Sequence, residues 1–145
     1  MRQDIVYYFH NYFIIFFMNF RHRRFVMVVR ILFGAFMVFS GIGGLKSGAS
    51  LEGIPVEMLP TMKVLWATGI FQMIKVTEVV AGLMLVTGLY PALAAIFLAP
   101  ICIGVIIVNS RMTPDFLFMG FVISAFNIFL GYAYWDKYKK LFERK

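Results

Sequence analysis

Two side chains that ionise in water, Lys75 and Glu78, stand in a stretch of sequence that is otherwise apolar. The stretch, Ile70 to Leu89, is about as long as the hydrocarbon core of a bilayer is thick. An ionised side chain at that depth costs about 3 kcal/mol or more, so the pair needs compensation. Residues of this kind inside membranes bind ions, ligands or protons, or pair with each other. The sequence therefore predicts an intramembrane polar site, without naming a reaction.

Arg30 and Asn127 are two further polar residues that we expect to face the inside of the protein. At about 100° per residue, each shares a helix face with glycines, and small residues let membrane helices approach closely. We expect Glu78 to pair first with Lys75, while Arg30 either joins this cluster or extends to lipid headgroups. The glycines expected to pack the helices together are Gly34, Gly41, Gly82, Gly120 and Gly131.

Other residues that carry chemistry give no catalytic pattern. Cys102 is the one cysteine, and we expect it to be inert, buried and far from any base. His10 and His22 lie outside the predicted spans, so neither haem ligation nor a metal site is indicated. The glycines of Gly41 to Gly44 end a span and do not form a phosphate loop. We expect no enzyme activity from this chain on its own.

The composition indicates the elements that must position these residues. Of 145 residues, 61% are hydrophobic and 14% charged, which is more apolar surface than a soluble domain of this size can bury. We predict an all-α integral membrane four-helix bundle. Pro100 should kink the third helix and free the carbonyl of Ile96. The predicted spans are Phe25 to Leu45, Ile70 to Leu89, Pro91 to Val108, and Phe116 to Trp135.

The distribution of lysine and arginine predicts the topology. The net charge is +7, and basic residues cluster before the first span and after the fourth. Both termini are therefore expected in the cytoplasm, with residues 25–135 as the transmembrane domain and 136–145 as a basic cytoplasmic tail. The charge is explained by topology, so we expect no nucleic-acid partner. Between the first two spans, Val56 to Trp66 is expected to form a short interfacial helix.

Residues 1–24 form an N-terminal leader that is unusually rich in Phe, Tyr and Ile. Its apolar run is too short to span and has no small-residue cleavage site, so it does not resemble a signal peptide. It is either an interfacial aromatic segment or upstream sequence preceding a true start at Met18. We favour Met18, because "MNFRHRRF" followed by a span is a normal opening for a membrane protein.

Three stretches of the predicted bundle, "RILFGAFMVFSGIGGL", "KVTEVVAGLMLVTGL" and "LAPICIGVIIVN", resemble the DoxX-like family of small four-helix bacterial membrane proteins. The similarity extends over roughly Val29 to Leu130. Two positions depart from the family pattern: Gly44 stands where many relatives have a lysine, and Asn109 where closer relatives have a histidine. The residues that carry the resemblance are Arg30, Gly34, Ser40, Gly41, Lys75, Glu78, Gly82, Leu85, Ala99 and Pro100.

The resemblance implies a multi-pass protein of the bacterial cytoplasmic (inner) membrane. Some members resemble small subunits of a thiosulfate:quinone oxidoreductase, and others are membrane partners in redox-defence assemblies. We therefore expect a non-catalytic anchor or scaffold in the lipid bilayer, partnered by a soluble or membrane redox subunit, or by further copies of itself. No cofactor is evident from the residues, and a quinone is the one that the resemblance allows.

Three interpretations of the cluster of Arg30, Lys75, Glu78 and Asn127 remain open. It could hold a quinone or lipid headgroup through Lys75 or Arg30, with Glu78 exchanging a proton as the quinone is reduced. It could instead serve a small proton-coupled transporter, as a midplane glutamate and a proline-kinked helix are compatible with one. The third interpretation is an ion pair that only satisfies itself.

Overall fold

The computed structural model describes residues 23–51 and 53–142, with side chains as far as residue 138. The expected leader, including Met18, His10 and His22, lies outside the described residues apart from its last two positions. Two 3-10 turns, Val56–Met58 and Pro114–Phe116, lead into the second and fifth helices, and no strand occurs in the described ranges. In chain order the helices are α1 Arg23–Ser50, α2 Leu59–Ala67, α3 Ile70–Thr87, α4 Pro91–Met112, α5 Leu117–Ala133 and α6 Trp135–Phe142.

Four of these helical segments are long and apolar enough to cross a membrane: α1, α3, α4 and the segment Pro114–Ala133, which contains α5. This confirms the predicted all-α four-helix membrane architecture. The short α2 occupies the region where an interfacial helix was expected.

The ends of the helices differ from the prediction where tertiary contacts or backbone geometry intervene. α1 continues one turn beyond Leu45 to Ser50, and in that turn Gly48 packs closely on Trp66, 2.7 Å from a β-carbon built on the glycine. α3 ends at Thr87 because Gly88 adopts a left-handed conformation with φ 79°, and its N–H bonds to the carbonyl of Met84.

α4 extends one turn beyond the predicted end at Val108 and continues through Pro100. Asn109 fixes the connection to α5, because its Nδ2 donates to the carbonyl of Phe116 at 3.0 Å. The Thr113 hydroxyl in turn donates to Asn109 Oδ1 at 3.1 Å. Asn109 therefore serves in this chain as the anchor of a helix connection.

α1 and α3 form the closest helix pair, and glycines make the approach possible. A β-carbon built on Gly34 would lie 2.8 Å from the carbonyl oxygen of Gly82, and one on Gly82 would lie 2.7 Å from that of Gly34. Further along α1, a β-carbon on Gly41 would lie 2.8 Å from the carbonyl oxygen of Lys75. Since residue numbers rise in α1 as they fall in α3, the two helices are antiparallel.

The apolar core lies between the spans, and Leu85, Leu98 and Leu130 are fully buried in it. On α5, Gly120 packs against α4 as expected, 3.3 Å from Ile106 for a β-carbon built there. The prediction that Gly131 packs against another helix is wrong, because a β-carbon built there meets no atom of another described helix within 4 Å. The small-residue face of α5 is therefore a tight contact only toward its N-terminal end.

The predicted basic tail begins as a helix docked against the bundle. α6 follows α5 almost directly, and the Tyr138 hydroxyl donates to the carbonyl of Ala92 at 2.7 Å. Ala92 lies in the first turn of α4, so this bond holds α6 at the end of the bundle where α4 begins.

Candidate functional site

Lys75 and Glu78 form a bidentate ion pair on one face of α3. Lys75 Nζ lies 2.9 Å from Oε1 and 2.9 Å from Oε2 of Glu78. Glu78 is almost fully buried, with 4% of its side chain exposed, whereas Lys75 retains 15%. The i, i+3 spacing on a helix brings the two side chains together, and burial strengthens their attraction. The pair that the sequence suggested is thus present as a direct contact.

α1 supplies a third member of the site, Ser40. Its hydroxyl donates to Glu78 Oε2 at 3.2 Å. The carboxylate therefore accepts hydrogen bonds from residues of both α1 and α3. The sequence argument did not assign this role to Ser40. The available signal was its place beside Gly41, since a residue next to a close-packing glycine must lie near the partner helix.

One aromatic ring, that of Phe71, lies near the ammonium group of Lys75. Lys75 Nζ lies 5.4 Å from the centroid of the Phe71 ring, a distance at which a cation and a ring attract each other. Phe71 in turn lies against Trp66 of α2, with 6.0 Å between ring centroids. Gln72 links the same helices by donating to the Trp66 carbonyl at 3.0 Å. α2 is therefore part of the wall of the site.

A lateral cleft of about 790 Å³ opens between α2, α3 and α4, and Lys75 and Glu78 line it. Most of the other lining side chains are apolar. The α4 wall contains Ile96, Pro100 and Gly104. Pro100 has no amide proton to give to the Ile96 carbonyl, which leaves one backbone acceptor on this wall free of its helical bond. The cleft thus combines a mostly apolar lining with one small polar region, the Lys75–Glu78 pair.

Arg30 does not join this site. It lies ten residues before Ser40 on α1, about 15 Å along the helix axis. Its guanidinium contacts the C-terminal end of α3, where a β-carbon on Gly88 would lie 2.7 Å from Nη1. Of the two alternatives for Arg30, the structure favours separation from Glu78.

Asn127 lies in the core on α5 and is 7% exposed. Its Oδ1 is buried and has no hydrogen-bond partner among the described residues, and the same holds for the hydroxyl of Ser124 one turn earlier. No hydrogen bond joins Asn127 to the Lys75–Glu78 pair in the described part of the chain. The four residues predicted as one cluster therefore separate into the ion pair, Arg30 at one end of the bundle, and Asn127 in its core.

Cys102 is buried in the core on α4, as expected.

The four spans and the lateral cleft define a small polytopic membrane protein with a buried ion pair. The family model described as DoxX matches residues 25–111, more than half of the chain. The chain therefore belongs to the DoxX family, as the resemblance in its sequence implied. Among curated proteins and among solved structures, nothing matches the chain.

Proposed function

We propose that the protein is a membrane subunit that holds a quinone headgroup at the Lys75–Glu78 pair for a redox partner. The observation that carries the proposal is the position of this pair on the wall of a lateral cleft of about 790 Å³. A quinone has a polar ring with carbonyl acceptors and a long apolar tail. The cleft offers the matching combination of a polar spot and an apolar volume.

The residues of the site fit such a headgroup. An ammonium group has three N–H donors, and the bond to each oxygen of Glu78 uses two of them. One donor thus remains for a carbonyl oxygen of the ligand, beside the Phe71 ring on which a planar headgroup could stack. A bound quinone would supply electron and proton transfer, with the electrons coming from the partner. This chain would contribute binding and a carboxylate able to exchange a proton.

Orientation and location form part of the same proposal. The N-terminal end of α1 and the helix α6 would both face the cytoplasm of a bacterial cell, with α2 on the outer side of the inner membrane. The support is the excess of lysine and arginine near the start of α1 and in α6. The cleft would then open to the bilayer in its outer half, because α2 forms one of its walls.

A cleft-filling substitution tests the proposal without touching the ion pair. Gly104 lines the cleft, and no described atom lies within 4 Å of a β-carbon built on it, so Gly104→Phe can fill the space. The matched control is Gly131→Phe, equally free of close neighbours in the described chain but outside the cleft. Protein purified in mild detergent is extracted, and its quinone is quantified by chromatography and mass spectrometry.

We expect quinone to co-purify with the wild type and with Gly131→Phe, and to fall about tenfold in Gly104→Phe, which corresponds to about 1.4 kcal/mol of binding. Lys75→Met should lose quinone as well, because it removes the proposed donor. Equal quinone content in Gly104→Phe and the wild type would refute the cleft as the binding site. No quinone in any sample, with all proteins folded, would favour a purely structural ion pair.

A further inference from the structure

Arg30 carries a positive charge into the end of the bundle without a partner among the described residues, and we propose that it binds the phosphate of an acidic phospholipid. This site is separate from the cleft and does not depend on the proposed quinone. The proposal rests on three observations: the guanidinium has no ion-pair partner in the described ranges, other cations lie at the same end of the bundle, and exposed apolar surface lies nearby.

The guanidinium lacks a counter-charge in the described part of the chain. Its Nε is buried without a hydrogen-bond partner, and no described carboxylate lies within ion-pair distance of Arg30. An arginine cannot lose its proton and has five N–H donors to satisfy. Leaving such a group desolvated and unpaired is costly, so an anionic ligand that accepts from it would stabilise the folded protein.

The contact with Gly88 fixes where this ligand must lie. Gly88 follows the last residue of α3, and the guanidinium occupies the space that any side chain at Gly88 would fill. Arg30 is seven residues from the start of α1, about 10 Å along the axis. An arginine at that depth reaches the level of lipid phosphates when its side chain extends toward the end of the helix.

Other cations gather at this end of the bundle. Arg23 and Arg24 are exposed in the first turn of α1. Lys137 lies on α6, which the Tyr138–Ala92 hydrogen bond holds beside the start of α4. Asp136 is the described carboxylate at this end, and it already takes part in an interaction of its own. The local charge therefore favours an anion.

The apolar surroundings favour a lipid over a free ion. Val28 and Ile31, the nearest outward-facing neighbours of Arg30 on α1, are 49% and 39% exposed, and Leu89 beside Gly88 is 62% exposed. A soluble anion would gain nothing from these surfaces, whereas acyl chains can pack on them. The chemistry thus selects a phosphate attached to a lipid.

Native mass spectrometry with defined lipids tests this assignment. The wild type, Arg30→Gln and the control Arg111→Gln, which removes an exposed arginine from the opposite end of α4, are purified in detergent. Each is titrated with phosphatidylglycerol or phosphatidylcholine carrying the same acyl chains. The wild type and Arg111→Gln should retain phosphatidylglycerol in preference to phosphatidylcholine. Arg30→Gln should lose about tenfold in retention, as expected for one charge-assisted hydrogen-bonded contact.

Arg30→Lys provides a second variant in case Arg30→Gln does not fold. It keeps the charge but loses the planar donor set, so its retention of phosphatidylglycerol should fall between those of the wild type and Arg30→Gln. Three results would overturn the assignment. They are unchanged retention in both Arg30 variants, equal retention of the two lipids by the wild type, and displacement of the lipid by millimolar inorganic phosphate.

Discussion

Gly44 of α1 and Lys75 of α3 fit together because the glycine has no side chain. A β-carbon at Gly44 would lie 2.6 Å from Lys75 Cε and 2.7 Å from Lys75 Cδ. The aliphatic part of the lysine therefore occupies the surface of α1 and directs its ammonium toward Glu78. The space left free at Gly44 thus positions a lysine from another helix.

A double-mutant cycle measures how strongly the ion pair stabilises the protein. Lys75→Met or Glu78→Gln alone should lower the free energy of unfolding by up to about 3 kcal/mol, because each leaves a buried polar partner without its counterpart. The double variant should recover part of this loss, with a coupling energy of about 0.5–3 kcal/mol. Denaturant unfolding in detergent micelles is the measurement.

The same cycle in a Gly44→Leu background tests the fit between the two helices. A leucine there must displace the Lys75 chain, so the coupling between Lys75 and Glu78 should shrink toward zero. Gly43→Leu is the control, because no described atom lies within 4 Å of a β-carbon at Gly43. A coupling energy that survives Gly44→Leu unchanged would contradict the proposed role of this glycine.

Two glycines close together on α1 should respond in opposite directions to the same substitution. A β-carbon on Gly41 would lie 2.6 Å from Val79 Cγ2 and 2.8 Å from a backbone oxygen, so Gly41→Ala should destabilise the protein by about 1–3 kcal/mol. Gly43→Ala meets nothing and should stabilise the helix by up to about 1 kcal/mol. The midpoint of thermal unfolding in detergent distinguishes the two variants. A loss of stability in both would contradict the conclusion that Gly41, and not Gly43, is in close contact with α3.

Replacing Asn127 by leucine should stabilise the fold. Its Oδ1 is buried without a partner among the described residues, and an unsatisfied buried polar atom costs about 1–3 kcal/mol. Asn109→Leu is a matched control with the opposite expected sign, because Asn109 makes two hydrogen bonds that the leucine would remove. Loss of stability in Asn127→Leu would show that this amide has a partner, such as a bound water, that it needs.

Ionisation of Tyr138 should lower the stability of the protein at alkaline pH. Burial, and to a smaller extent the charge of Tyr134, raises the pKa of Tyr138 above its ordinary value. The native state therefore holds the phenol proton more tightly than the unfolded chain does. Its contribution is complete below the unfolded pKa, about 10, and disappears as pH rises through the raised native pKa.

Tyr138→Phe removes both this titration and the bond to the Ala92 carbonyl. At neutral pH it should lower the free energy of unfolding by about 1 kcal/mol, and hydrogen exchange in α6 should become faster. Above pH 10 the difference between Tyr138→Phe and the wild type should narrow. Tyr90→Phe is a suitable control, because the Tyr90 side chain is largely exposed. A difference independent of pH up to 11 would contradict the linkage to Tyr138 ionisation.

The sequence by itself determined the four-span architecture and the inward position of Lys75 and Glu78. Both follow from local physics: apolar runs of about 20 residues span a bilayer, and residues three apart on one helix are neighbours. The ends of the helices could be predicted only approximately, because the added turn of α1 packs against another helix at Gly48, while α3 ends through the backbone conformation of Gly88.

Only the tertiary structure decided which polar residues meet. Arg30, Lys75 and Asn127 each face inward, yet the antiparallel register of α1 and α3 places Arg30 at Gly88 and Ser40 at Glu78. Helix periodicity predicts the direction in which a side chain points. Its level relative to a neighbouring helix depends on how the two helices are shifted along their axes, and the close packing of glycines between α1 and α3 fixes that shift.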